Sequence, residues 1–286
     1  MEDKFATILS STGELNLAYQ SFGDENAPVF LLVTGWFSDM TLWPRGFCEE
    51  LAARGFRVIR YDNRDAGLSA RTDIENIDLT RPPYTMSDLA ADAVGLLDTL
   101  GIPAAHVAGF AMGGTIAHFI AIEHPERVLS LAPMATASGA RGFTLPDPSI
   151  ISVLREPFPT DTEGLARHHK KLFAAMAGSS FDEVDYEERR RESIARGASP
   201  ARGDLHNRAN ATSGDRTERL GQVRVPVLVV HAEQDPLVSL EAAQAQVNAF
   251  PNAELLVLEG IGHGVLPRHH WPKLADALQK LASRAG

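Results

Sequence analysis

The segment that most constrains how this chain can fold is residues 105–124. Ala105-His106-Val107-Ala108 reads as a buried strand, and a helix starts at Met112 and runs to about His124. Between them stands Gly109-Phe110-Ala111-Met112-Gly113-Gly114, with no linker. A reversal that tight forces its central residue, Ala111, into a strained backbone conformation. Glycines two positions before and two after relieve the crowding. Small residues at a strand–helix junction also serve close packing alone, so the segment gains meaning only from its surroundings.

Those surroundings alternate strand and helix. Residues 5–9 and 14–20 form a hairpin pattern around Ser11-Thr12-Gly13, and Val29-Phe30-Leu31-Leu32-Val33 is apolar throughout, as in a strand buried on both faces. A helix over about 43–54 stops near Gly55, and Phe56 to Tyr61 is a strand. Residues 86–100 repeat apolar positions at helical spacing, with Ser87 placed to cap them. Arg127 to Ala132 is the next strand. The pattern then lapses. Residues 139–218 hold proline turns and helical stretches near 163–177 and 182–196, but no strand-like run. Alternation resumes with Val225 to Val230, a helix over about 240–249, Ala253 to Leu258 and a helix over about 271–283. The expected fold is α/β, a mostly parallel doubly wound sheet built from residues 1–138 and 219–286, with a helical cap, 139–218, inserted before the last two strands.

Two further segments give position 111 chemical context. His263, in Gly260-Ile261-Gly262-His263-Gly264, follows the last strand, at the edge where ligand sites of open α/β sheets lie. Asp235, in Gln234-Asp235-Pro236, follows the preceding strand, where its carboxylate can accept the histidine's Nδ1–H. Positions 111, 235 and 263 are separated by 124 and 28 residues, in the order nucleophile, acid, histidine.

These residues, with Arg60-Tyr61-Asp62-Asn63-Arg64-Asp65-Ala66-Gly67-Leu68-Ser69, Ser213-Gly214-Asp215-Arg216 and Gln234-Asp235-Pro236-Leu237-Val238, resemble the α/β-hydrolase-fold carboxylesterases, in particular the aclacinomycin methylesterase type. The resemblance covers nearly the whole chain. It implies a serine esterase in which Asp235 and His263 serve an elbow nucleophile and the backbone N–H groups of Trp36 and Met112 form an oxyanion hole. Gly35 would let the loop approach the substrate. Phe143, Phe158, Leu172 and Met176 of the cap would help line an apolar pocket. The departure is at the elbow, where the resemblance implies serine and this chain has Ala111. The expectation is an ester or lactone hydrolase as an inactive Ser-to-Ala variant. The alternative is a natural pseudo-hydrolase that binds a ligand without cleaving it.

Composition narrows the partners. With 27 basic and 37 acidic residues the net charge is −10, which disfavours nucleic acid and anionic membranes. The adjacent pairs His168-His169 and His269-His270 diverge on a helix and chelate poorly together, so no metal or other cofactor is expected. Neither Thr34-Gly35 nor the glycines at 109, 113 and 114 fit the Gly-x-Gly-x-x-Gly of a dinucleotide loop. The start, Met1-Glu2-Asp3-Lys4, does not read as a signal peptide, and lone Cys48 precludes a disulfide framework. A cytoplasmic monomer or homodimer acting on a small-molecule ester or lactone is therefore expected.

Overall fold

A computed structural model describes residues 2–11, 13–73, 81–143, 147–157, 159, 161–198, 202–264 and 266–285. β1 (Lys4–Ser10) and β2 (Gly13–Phe22) form the expected antiparallel hairpin. β3 (Val29–Val33) is buried at every position. Its alternate side chains serve opposite layers: Val29, Leu31 and Val33 join one core cluster, Phe30 and Leu32 the other. α1 (Arg45–Ala52), β4 (Arg57–Tyr61), α2 (Met86–Thr99), β5 (Ala105–Phe110), α3 (Met112–Glu123) and β6 (Val128–Met134) follow in strict alternation. Next come α4 (Pro148–Leu154), α5 (Thr162–Ala177), α6 (Glu183–Ala195), α7 (Gly203–Ala211) and α8 (Thr217–Leu220). The sheet resumes with β7 (Val227–Ala232), α9 (Leu240–Ala249), β8 (Ala253–Leu258) and α10 (Trp271–Ala282).

Among the described residues the strands make one sheet in the order β1-β2-β4-β3-β5-β6-β7-β8. β2 meets β4 antiparallel, and from β4 to β8 every neighbour is parallel. Helices α2, α3 and α9 cover one face through Leu89, Leu96, Ile116 and Ala243, while α1 and α10 cover the other through Phe47, Leu51, Leu274 and Leu278. A third apolar cluster joins the inserted helices to the loop after β3: Ile150, Leu172, Phe173, Met176 and Tyr186 pack on Phe37 and Leu42. No helix among the described residues is long and apolar enough to cross a membrane.

The helix start expected at Ser87 lies two residues earlier. Thr85 caps α2, its hydroxyl accepting from the Asp88 N–H at 3.2 Å while the Asp88 carboxylate accepts from the Thr85 N–H at 2.8 Å. This reciprocal box satisfies two donors at once, which a cap at Ser87 does not match. Helices α4 and α7 have no counterpart in the sequence expectations. α7 reads Gly-Asp-Leu-His-Asn-Arg-Ala-Asn-Ala, with poor helix formers at most positions, and is held by burial of Leu205, His206 and Ala209.

Buried histidines tie stability to pH. Burial pushes the imidazoles of His106, on β5, and His169, on α5, from 6.5 down to about 4. Both stay neutral when folded, while the unfolded chain takes up their protons below pH 6.5. Their contribution is thus complete above 6.5 and is lost as pH falls toward 4. Each should cost about 2 kcal/mol at pH 5 relative to pH 7. Urea unfolding at the two pH values should show a lower midpoint at pH 5, and His106→Asn should shrink the difference. Equal midpoints at both pH values would contradict this.

Candidate active site

Because β3, β5, β7 and β8 are parallel, the loops leaving them emerge on one edge of the sheet. Those loops carry Gly35 and Trp36, Ala111, Asp235, and His263 respectively. The topology alone therefore gathers residues scattered over more than two hundred positions.

Ala111 is the entire connection between β5 and α3. Its backbone lies at φ 52°, ψ −115°, a region that L-residues rarely adopt. Its N–H donates to the Met134 carbonyl at 2.8 Å, and its own carbonyl accepts from Gly114 at 2.9 Å and Thr115 at 3.2 Å. The flanking glycines are sterically required. A Cβ on Gly109 would stand 2.8 Å from the Gly114 nitrogen, and one on Gly113 would stand 2.6 Å from the Thr34 carbonyl oxygen. Only without those atoms can α3 fold straight back against β3 and β5. The strain at 111 should be measurable. Ala111→Gly relieves roughly 1–3 kcal/mol of backbone strain and gives back about 0.4–1 kcal/mol of unfolded-state entropy. A net stabilisation of about 1 kcal/mol is expected in chemical denaturation; a loss of stability would show that the backbone there is unstrained.

Asp235 and His263 meet at this edge of the sheet. His263 Nδ1 lies 2.8 Å from Asp235 Oδ2, with the carboxylate fully buried. The other carboxylate oxygen accepts from the N–H groups of Leu237 at 2.8 Å and Val238 at 2.9 Å. Burial alone would push this carboxyl up. The His263 imidazole and the two backbone donors outweigh it and hold Asp235 below the usual carboxylate range. An ionised carboxylate only accepts, so Nδ1 carries the proton and Nε2 of the neutral ring is an acceptor. The His263 loop is seated on α5: its N–H donates to the Met176 carbonyl at 2.9 Å. A Cβ on Gly262 would stand 2.5 Å from that same oxygen. The imidazole packs against Phe110, the residue before Ala111, with ring centres 5.1 Å apart.

Gly35 brings the loop after β3 against the elbow. A Cβ there would stand 3.5 Å from Ala111 Cβ and 3.0 Å from the Phe110 carbonyl oxygen. The loop is pinned from three directions. Asn63 Nδ2 donates to the Thr34 carbonyl at 3.1 Å, and the half-buried Trp36 donates through Nε1 to the Gly203 carbonyl at 2.7 Å. His169 Nε2 donates to the Phe37 carbonyl at 3.2 Å, which leaves Nδ1 to accept from the Tyr186 hydroxyl at 2.8 Å. Phe37 itself has φ 56°, a second non-glycine residue in the left-handed region. Met112 is buried at the N-terminus of α3, where the helix dipole favours negative charge.

The expected pocket residues are dispersed. Leu172 and Met176 are buried in the apolar cluster that joins α5 to Phe37 and Leu42. Phe143 is half-buried, and Phe158 lies outside the described residues. A cavity of about 210 Å³ lies between residues 37–42 and helices α5 and α6. None of Gly35, Ala111, Met112, Asp235, His263, Leu172 or Met176 lines it. A smaller one, about 40 Å³, lies behind the His263 loop among Phe110, Met134, His231 and Gly262. Among the described residues no group of His, Cys, Asp or Glu side chains is arranged to hold a metal ion.

The Arg60 to Ser69 run is structural in this fold. Arg64 pairs with Asp92 through two 2.6 Å bonds. Asp62 accepts from the N–H groups of Met40 at 2.7 Å and Leu68 at 2.9 Å, and from Arg196 at 2.8 Å. Arg60 reaches Glu192. Asp62 and Arg60 thereby bind the region of α6 to the sheet. His169 and Arg189 were not singled out from the sequence for any site. His169 reads there as half of an adjacent histidine pair, and Arg189 only as a residue of the helical stretch near 182–196.

The family described as alpha/beta hydrolase fold matches residues 28–269. The chain belongs to that family. Among alpha/beta hydrolases, rhodomycin D methylesterase DnrP of Streptomyces peucetius is 32% identical over 292 residues, covering 94% of this chain and 96% of that protein. A thermophilic esterase from Thermogutta terrifontis shares the alpha/beta hydrolase architecture with a TM-score of 0.75 at 23% identity, covering 100% of this chain and 99% of that one. The enol-lactonase of Burkholderia xenovorans LB400 gives a TM-score of 0.67 at 23% identity, over 98% of both chains. The first likeness makes this alpha/beta hydrolase a homologue of methylesterases, and the other two show the fold.

Proposed function

We propose that this site is that of a carboxylic ester hydrolase whose nucleophile position holds alanine, so that it binds a small ester or lactone and leaves it uncleaved. The observation that carries this reading is the Asp235–His263 hydrogen bond of 2.8 Å beside a strained elbow centred on Ala111. A ligand-binding fold has no need of a buried carboxylate that fixes an imidazole tautomer at that place. With serine at 111, His263 Nε2 would take the hydroxyl proton as Oγ attacks the ester carbonyl. The N–H groups of Met112 and Trp36 would receive the oxyanion. His263 would then return the proton to the departing alkoxide, and water would release the acyl group by the same steps in reverse. The alanine methyl group offers no lone pair, so none of these steps begins. The insertion of residues 139–218 would act as the lid over the substrate.

The test is restoration: Ala111→Ser should create hydrolysis of p-nitrophenyl acetate, and a serine variant as inert as its parent would favour a pseudo-hydrolase instead. The methylesterase relative directs the search for a natural substrate to methyl esters.

A further inference from the structure

We infer that the cavity between the loop after β3 and helix α6 is a second binding site, one that takes a small amphipathic monocarboxylate, with its carboxylate on Arg189 and its apolar body against Phe37, Leu42 and Phe173. The walls are mostly apolar and come from the loop at 37–42, α5 and α6, with Leu165 and Ile194 completing them. The volume of about 210 Å³ is below the roughly 300–1,000 Å³ of clefts for drug-sized ligands, so the occupant is small.

Arg189 is the unusual member of this lining. Its side chain is only 13% exposed, and among the described residues it donates no hydrogen bond. It has one long ion contact, Nε to Asp185 Oδ2 at 3.7 Å, and its guanidinium lies over the Tyr186 ring at 5.9 Å. Asp185 is engaged elsewhere, its Oδ1 accepting from Arg268 Nε at 3.0 Å. Burial pushes the Arg189 guanidinium down to about 10, against the pull of Asp185, Tyr186, Asp39 and Asp182. The other charges bordering the cavity are committed. Asp39 accepts from the Thr41 N–H at 2.8 Å, the Thr41 hydroxyl at 2.6 Å and the Ser193 hydroxyl at 2.5 Å, with Arg196 at 3.9 Å. Arg190 is at the rim, 41% exposed, and pairs with Glu187 at 3.6 Å. A planar carboxylate matches the fork of donors that Arg189 leaves unused. His169, which also lines the cavity, holds the Phe37 carbonyl, so an occupant touches the same loop that carries Gly35 and Trp36.

The test is calorimetric titration of the unchanged chain with 4-phenylbutyrate and its uncharged amide. Binding needs no turnover, so its outcome is separate from that of restoring a serine at 111. The acid should bind one to one, and the amide at least about tenfold more weakly, the factor set by one charge-assisted hydrogen bond. Arg189→Met should weaken the acid by the same factor and leave the amide unchanged, which also reports that the variant is folded. Arg189→Lys, which keeps the charge without the fork, should fall between them. Equal affinity for acid and amide, acid binding untouched in both variants, or no binding of the acid at all would overturn the assignment.

Discussion

Ala111→Ser should raise kcat/KM toward p-nitrophenyl acetate by a factor on the order of 10⁴ to 10⁶, the range spanned by removing single members of a catalytic triad. On the proposed reading the gain is large because only the nucleophile is missing. Ala111 Cβ already sits at the strained centre of the turn at φ 52°, and serine adds one oxygen to that atom. The Asp235–His263 bond is formed, and Gly35 brings its loop within van der Waals reach of the elbow. Members of a catalytic triad act as a unit, so on the proposed reading the return of the missing member should recover nearly all of the rate. A serine variant whose rate stays within a few-fold of its parent would mean that His263 Nε2 does not face position 111.

In that serine background, Asp235→Asn should lower kcat by about 10⁴ with little change in KM. The carboxylate now accepts the Nδ1–H of His263 at 2.8 Å and two backbone N–H groups. An asparagine amide turned to keep the backbone donors presents an NH₂ group to Nδ1, which forces the proton to Nε2 and removes the base that the serine requires. The ring also loses the negative charge that stabilises its protonated form. Steady-state kinetics of the double variant against Ala111→Ser alone gives the factor. A loss below about tenfold would make Asp235 a structural partner of the loop and not the group that sets the histidine's tautomer.

Much of this was legible in the chain. The apolar run at 29–33 and the strand–helix alternation point to a covered parallel sheet, and that sheet brings 35, 111, 235 and 263 to one edge. What the sequence left out depends on contacts between distant residues. Trp36 bonds to the carbonyl of Gly203, 167 positions away, and α7 exists mainly because Leu205, His206 and Ala209 find a buried seat. Local propensity carries no trace of either. The shift of the α2 cap from Ser87 to Thr85 has a similar cause in miniature: both residues can cap, and Asp88 decides between them by closing the reciprocal bond. The cavity beside α6 was out of reach for the same reason. Its walls join residues 37–42 to α5 and α6, and a charged run such as Glu187 to Glu192 does not disclose that Arg189 turns inward while Arg190 stays at the rim.

The claim that position 111 faces His263 as a nucleophile position is tested most directly by intact-mass spectrometry after treatment with diethyl p-nitrophenyl phosphate. The Ala111→Ser chain should gain one diethylphosphoryl group, mapped by peptide fragmentation to residue 111, while the unchanged chain gains none and His263→Ala in the serine background slows the gain sharply. A serine variant that stays unmodified, or that carries the group at another residue, would contradict the account.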